Sequence, residues 1–301
     1  MAKVRLGIHL PNGGFGRLPF SYVRDLGVKA EKLGYDSLWV ADHAIYPESL
    51  GPQNIYEPLT TLAALSSVTK RVSLGTSILL PLRNPLHLAN MLATLDNASN
   101  GRVVLGMGVG WYKPEFDASS VPFNSRGEIQ EEEIQLLKLL WTTPSVNFNG
   151  KHFQMTNVVT GPKPVQRPHP KIWLGGGAER TFQRVAKHAN GWLAWCPALN
   201  TFAAGVRRIR TIAESERRNA SKLDFAVDFM ACIKKQTSTA RADAKKLNTR
   251  GENWIVGNAE SCAETLADYV NEGATHIVLG FMPYKKELAS MRIAAEAIQS
   301  I

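Results

Sequence analysis

The chain has 301 residues, 44% of them hydrophobic, and carries a formal net charge of +9 from 35 basic and 26 acidic side chains. That length suits one large barrel or two smaller domains with a sizeable core, and it contains no run of eighteen uncharged apolar residues, the best stretch, 72–82, being broken by Gly75 and Pro81, so no membrane-spanning helix is expected. The basic residues are scattered over predicted helices, as in Arg207-Arg208-Ile209-Arg210, and form no stripe with aromatic platforms, so nucleic acid is not an expected partner, while the positive field favours anionic ligands such as a phosphorylated cofactor.

In chain order, an apolar run at 4–10 opens the chain with no long apolar segment or small-residue cleavage site before it, which predicts a cytoplasmic protein. It ends in a Pro-Asn-Gly-Gly turn, and helical spacing follows at 21–33. The next strand, 37–41, stops abruptly at Asp42 and His43. Strands buried on both faces read as continuous apolar runs, and in barrel enzymes the chemistry sits where such runs end, so His43 is the first candidate for catalysis with Asp42 beside it. A purely local role for the pair, capping the strand and bonding loop amides, is the competing interpretation.

A helix at 58–69 leads to a strand at 72–79 with small polar residues, Gly75-Thr76-Ser77, where bulk is expected. Such residues either let a planar group approach the backbone or mark a bulge or tight packing layer. A helix at 86–98 precedes the strand 103–108, whose end, Gly106-Met107-Gly108-Val109-Gly110-Trp111, lacks the third glycine of a dinucleotide fingerprint and is read as a strand-end loop with an aromatic wall. Glu131-Glu132-Glu133 begins a predicted helix, 129–141, and is expected to face water with no acid–base role. Residues 144–170 form an insertion: a hairpin around Asn149-Gly150, then the extended stretch from Gly161 to Pro170 lying across the surface.

The fifth strand, 171–175, runs through Gly175-Gly176-Gly177-Ala178 into a helix at 180–189. A glycine turn at a helix start exposes amide donors suited to phosphate, with Arg180 as an added cation. Strands at 192–195, 225–233 and 275–281 and helices at 202–219, 261–271 and 286–298 complete the pattern, Trp192 and Trp195 bracketing the sixth strand. Eight strand–helix units over this length predict a single domain, residues 1–301: a (β/α)8 barrel with its insertion between the fourth and fifth strands. Cys196, Cys232 and Cys262 match neither a disulfide framework nor a metal knuckle, and the seven histidines show no ligand spacing, so free thiols and no metal are expected.

Taken together, Gly34-Tyr35-Asp36-Ser37-Leu38-Trp39-Val40-Ala41-Asp42-His43, Leu74-Gly75-Thr76-Ser77-Ile78, Ala93-Thr94-Leu95-Asp96 with Gly101-Arg102, the segment Gly106 to Trp111 with Glu115-Phe116, the stretch Lys163 to Trp173 and the turn at Gly175 resemble the bacterial-luciferase-like flavin and deazaflavin oxidoreductases, especially their F420-dependent branch, over nearly the whole chain. The resemblance implies a strand-three bulge at Ser77-Ile78, often with a cis peptide, against which the cofactor ring rests. It places the cofactor phosphate on Gly176, Gly177 and Ala178 and a strand-two histidine, His43, near the reactive ring. Gly175, Arg180, Gly108 and Trp111 complete the expected cofactor contacts, with Trp195 as a further wall. The cofactor implied is the deazaflavin coenzyme F420, exchanging hydride with a small organic substrate, or else FMN, supplied reduced by a separate flavin reductase to a monooxygenase. A homodimer is implied as well. A non-catalytic flavin carrier and a non-redox sugar or aldehyde enzyme are the other classes open.

Overall fold

Each apolar run is too short to bury its flanks alone, and helical crossovers between successive runs force them parallel. The computed structural model describes residues 3–13, 18–45, 55–247 and 252–298. Its strands β1 (Arg5–His9), β2 (Ser37–Val40), β3 (Ser73–Thr76), β4 (Val103–Met107), β7 (Lys171–Gly175), β8 (Gly191–Trp195), β9 (Asp224–Ile233) and β11 (His276–Phe281) pair in parallel in that order, and β1 pairs with β11 to close the ring. This is the expected (β/α)8 barrel.

The helices α1 (Phe20–Lys32), α2 (Pro58–Val68), α3 (Pro85–Ser99), α5 (Arg126–Thr142), α6 (Glu179–His188), α7 (Leu199–Ser215), α9 (Ala259–Asn271) and α10 (Glu287–Ile298) occupy the crossovers. The insertion after α5 is the antiparallel hairpin β5 (Val146–Asn149) and β6 (Gln154–Val158). The proline-rich stretch that follows crosses the surface, tied down where Gln166 donates through Nε2 to Asp96 Oδ1 at 2.7 Å and where Lys163 Nζ donates to Leu140 O at 2.6 Å.

Among the described residues, two α-helices and one strand lie outside the eight-unit reading. A short helix, α4 (Lys113–Ala118), stands where a loop was expected after β4. Helix α8 (Thr237–Leu247) and strand β10 (Ile255–Gly257), which extends the edge of β9 beyond β8, form a small annex. Only Ala240 and Ala244 of α8 are buried, so the helix carries no apolar stripe of the usual width.

The lumen is filled by side chains, not open. Trp39 and Trp173 stack with ring centroids 5.0 Å apart, and a Cβ on Gly75 would sit 2.4 Å from the Trp39 ring, so the glycine of β3 makes room for an indole of its own core. Of the two explanations for the small residues in β3, tight packing holds at Gly75. Cys196, Cys232 and Cys262 are buried and form no disulfide. Among the described residues no helix is long and apolar enough to cross a membrane.

Candidate active site

All eight strands run the same way, so the loops following β2, β3, β4, β7 and β8 gather at one mouth, and His43 shares a rim with the triple-glycine turn. His43 lies just past β2, with Nδ1 3.0 Å from Glu115 Oε2. Glu115 comes from α4 and is fully buried; its other oxygen accepts the amide of Ala44 at 2.8 Å. An ionised carboxylate only accepts, so Nδ1 carries the proton and any acid–base exchange falls to Nε2. The His43 ring stands edge-on to Trp111, 54% exposed, at a centroid distance of 6.1 Å.

Asp42 does not join this pair. It points the other way, as alternation along an extended segment requires, and binds the Arg83 guanidinium through both oxygens, at 2.7 and 3.0 Å, while accepting the Leu80 amide at 2.9 Å. Its role is to anchor the loop after β3, and the carboxylate partner of His43 is Glu115, 72 residues along the chain. The short helix that delivers Glu115 was the missing signal; Glu115-Phe116 stands in the sequence pattern but nothing local shows where its acid points.

The segment after β3 contains the Ser77–Ile78 peptide in cis form. Ser77 Oγ donates to Asp228 Oδ2 at 2.6 Å. Ile78 turns inward over the neighbouring strands: a Cβ on Gly108 would fall 1.6 Å from Ile78 Cδ1, and one on Gly175 would fall 2.8 Å from Ile78 Cγ2. Gly108 is therefore buried beneath Ile78 and not open to a ligand, a correction to its expected place as a direct cofactor contact. Gly175 is covered in the same manner, and the exposed part of the turn is Gly176, Gly177 and Ala178.

Gly176 has a φ of +114°, and nothing lies within 4 Å of a Cβ built on Gly177. Ala178 is the N-cap of α6 and offers no side-chain acceptor, which leaves amide donors at the positive end of the helix free for an anion. Trp192 Nε1 donates to Gly176 O at 2.7 Å, and the indole stacks on Phe202 with centroids 5.4 Å apart, so Trp192 braces the turn from within the core. Glu179, the one acid of the first turn, is drawn away by Arg208 at 2.6 Å. Arg180 is exposed. Trp195, 46% exposed, stands at the mouth on the β8 side. A phosphate-tailed planar cofactor fits these features: uncapped amides and an exposed cation on the rim that also carries the Ser77–Ile78 segment and two exposed indoles.

The acidic run on α5 does not form a solvated face. Glu131 pairs with Arg184 at 3.4 Å, and Glu132 accepts the amides of Lys151, His152 and Phe153 at 2.8, 2.9 and 3.1 Å, which fastens the hairpin to the helix. Glu133 is completely buried, and neither of its oxygens has a hydrogen-bond partner among the described residues. Burial pushes its carboxyl up to about 8, Arg83 pulling it down and Asp42 pushing it further up. The loops around 12–15 and 45–56, which would face a substrate but carry no specific polar signature in the sequence, lie partly outside the described residues, at 14–15 and 46–54.

Residues 2–253 match the family model described as luciferase-like monooxygenase. An uncharacterized protein of Mycobacterium tuberculosis (strain ATCC 25618 / H37Rv) is 32% identical over 181 residues, 54% of this chain, and the chain spans 64% of that relative's length. The F420-dependent glucose-6-phosphate dehydrogenase of Amycolatopsis mediterranei (strain U-32) is 27% identical over 85% of this chain and 87% of its own. The FMNH(2)-dependent dimethylsulfone monooxygenase of Pseudomonas putida is 31% identical over 57% of this chain and 47% of its own. Among solved structures, the monooxygenase RslO1 from Streptomyces bottropensis superposes with a TM-score of 0.85 at 21% identity, covering 98% of this chain and 99% of that one. An F420-dependent secondary alcohol dehydrogenase in complex with an F420-acetone adduct superposes with a TM-score of 0.84 at 18% identity, covering 98% and 97%.

Proposed function

The chain belongs to the luciferase-like monooxygenase family, whose relatives include F420-dependent and FMNH2-dependent enzymes, and from that premise we propose that it is an oxidoreductase transferring hydride between F420 and a small organic substrate. The observation that carries this is the His43–Glu115 pair, an oriented imidazole beside an exposed indole on the rim that also holds the Ser77–Ile78 segment and the open glycine turn. The choice of F420 is supported by the alignment with the F420-dependent dehydrogenase, which runs through most of both chains, where the FMNH(2)-dependent relative aligns over about half of each.

In this reading Ser77 and Ile78 seat the cofactor ring, Gly176, Gly177 and Ala178 bind its phosphate through backbone amides with Arg180 as counter-charge, and Gly175 fixes the turn. Trp111 and Trp195 wall the ring. When bound, the cofactor supplies a ring carbon that exchanges hydride. His43 takes the proton from the substrate, or returns it, at Nε2, and Glu115 holds the ring and stabilises its charge when Nε2 is protonated. Burial on the inner side of α4, with the Ala44 amide on its other oxygen, keeps Glu115 from rotating away or exchanging its partner for water. Asp42 and Arg83 hold the loop after β3 in place and touch no reacting atom. A homodimer accompanies the proposal as an expectation from the family.

The second reading is an FMNH2-dependent monooxygenase fed by a separate reductase, favoured by the 31% identity to the dimethylsulfone enzyme. Anaerobic mixing of the protein with oxidised F420 and a panel of small alcohols and aldehydes, following loss of the deazaflavin absorbance, separates the two. Reduction with at least one substrate is expected. Silence across the panel, with oxygenated product formed from FMNH2 and oxygen, would replace the first reading by the second.

A further inference from the structure

A second histidine–carboxylate pair lies in the same mouth. Asp228 of β9 is completely buried, and its Oδ2 receives two groups from separate strands: Ser77 Oγ at 2.6 Å and His9 Nδ1, from the end of β1, at 3.0 Å. Strand β11 runs between β1 and β9, and it carries Gly280 at the crossing; a Cβ there would meet Met230 Sδ at 3.0 Å and His9 Cβ at 3.4 Å. The His9 ring stands edge-on to the exposed Trp195 with centroids 5.8 Å apart, as His43 stands to Trp111. The mouth thus has two imidazoles on adjacent strands, each with its Nδ1 on a buried acid and its edge on an exposed indole.

The same carboxylate rule fixes the tautomer. Oδ2 of Asp228 accepts, so His9 carries its proton on Nδ1, and Nε2 presents a lone pair that no hydrogen bond engages among the described residues. Oδ1 of Asp228 is also buried without a donor. A polar pair kept only for packing would be fully satisfied, because an unpaired buried acceptor is costly. This one leaves two acceptors open at the barrel mouth.

We propose that His9 determines substrate specificity by accepting a hydrogen bond from an O–H or N–H donor of the substrate, with Asp228 as a positioning residue that fixes the tautomer and ties it to the Ser77 segment. The inference rests on the mouth being the substrate cavity of the proposed oxidoreductase, and it names the substrate class: small molecules bearing a donor group besides the hydroxyl that reacts at His43.

The test uses the full chain, with cyclohexane-1,2-diol and its monomethyl ether as probes, so that both keep one hydroxyl for His43 and only the diol has a second donor for His9. Nitrogen-resolved NMR of the histidine rings in the wild type is expected to show His9 with its proton on Nδ1, and Asp228→Asn to move it to Nε2, because an amide can donate where the acid accepted. Ligand-observed titration is expected to give a preference for the diol over its monomethyl ether of roughly tenfold, what one hydrogen bond contributes, falling to near parity in Asp228→Asn and in His9→Phe. A wild-type His9 protonated on Nε2, or a diol-to-ether ratio unchanged by His9→Phe, would overturn the proposal. His9→Phe leaves the buried acid in place and decides the matter if Asp228→Asn does not fold. Failure of the protein to bind F420 or FMN would sink the oxidoreductase reading alone, since tautomer and probe preference are measured without cofactor.

Discussion

His43 and Asp42 are neighbours in the chain and strangers in the structure, because successive side chains of an extended segment leave on opposite sides. The strand end was visible in the sequence as an apolar run meeting two polar residues, but which of the two faces the mouth is set by the position of Arg83, which takes Asp42. Glu115 was out of reach of any local reading, since its meaning depends on a helix turn that brings it back to β2. For His43→Ala we expect a fall in turnover of about 10²–10⁴-fold, the usual worth of a positioned acid–base group, with cofactor affinity unchanged; steady-state kinetics beside a binding titration checks this, and unchanged turnover would remove His43 from the chemistry. Glu133 gives a prediction of another kind. Its folded carboxyl titrates near 8, above the ordinary value of 4.5, so the fold is favoured below pH 4.5 and loses stability as pH rises through 8. Linkage puts that loss on the order of 3 kcal/mol by neutral pH. Glu133→Gln should therefore flatten the decline in Tm between pH 5 and 8; a variant whose Tm falls as steeply as the wild type's would show that Glu133 is not held neutral.

At the scale of elements, the proposed seat after β3 and the glycine turn after β7 are joined by one side chain, Ile78, lying over Gly108 and Gly175. Gly108→Val drives a branched side chain into the Ile78 position, and overpacking of this kind costs about 1–3 kcal/mol. We expect a lowered Tm together with weakened cofactor binding; loss of stability with affinity intact would mean that Ile78 is not part of the seat. For Arg180→Ala we expect FMN to bind roughly fivefold more weakly while riboflavin, which lacks the phosphate, is unaffected, a change of the size that one exposed charge contributes. Equal losses for both ligands would point to packing instead. The eight barrel strands were readable because buried parallel strands are apolar throughout. Helix α8 was not, because two buried alanines make no stripe, and the acids of α5 were misjudged because composition cannot tell that the hairpin loop and Arg184 lie against them.

The molecule as a whole divides by height along the barrel. Its lower lumen is packed by Trp39, Trp173 and His276, and burial pushes the His276 imidazole down to about 4. That group contributes stability above pH 6.5 that is lost as pH falls through 4, so with Glu133 acting in the opposite direction the fold should be most stable on the mildly acidic side of neutrality. The upper lumen is where packing gives way to polar groups: His9, Ser77 and Asp228 across the floor, His43 and Glu115 on the rim. Closure of eight strands is what brings residues as distant as 43, 77 and 177 to one end of the barrel, and it was inferable from the count and alternation of the units; the polar floor was not, since its three members come from β1, the β3 loop and β9. The most direct test of the central claim is a titration of the protein with F420 and with FMN, following cofactor fluorescence. Saturable binding is predicted, tighter for F420 than for FMN, and failure of both cofactors to bind would contradict it.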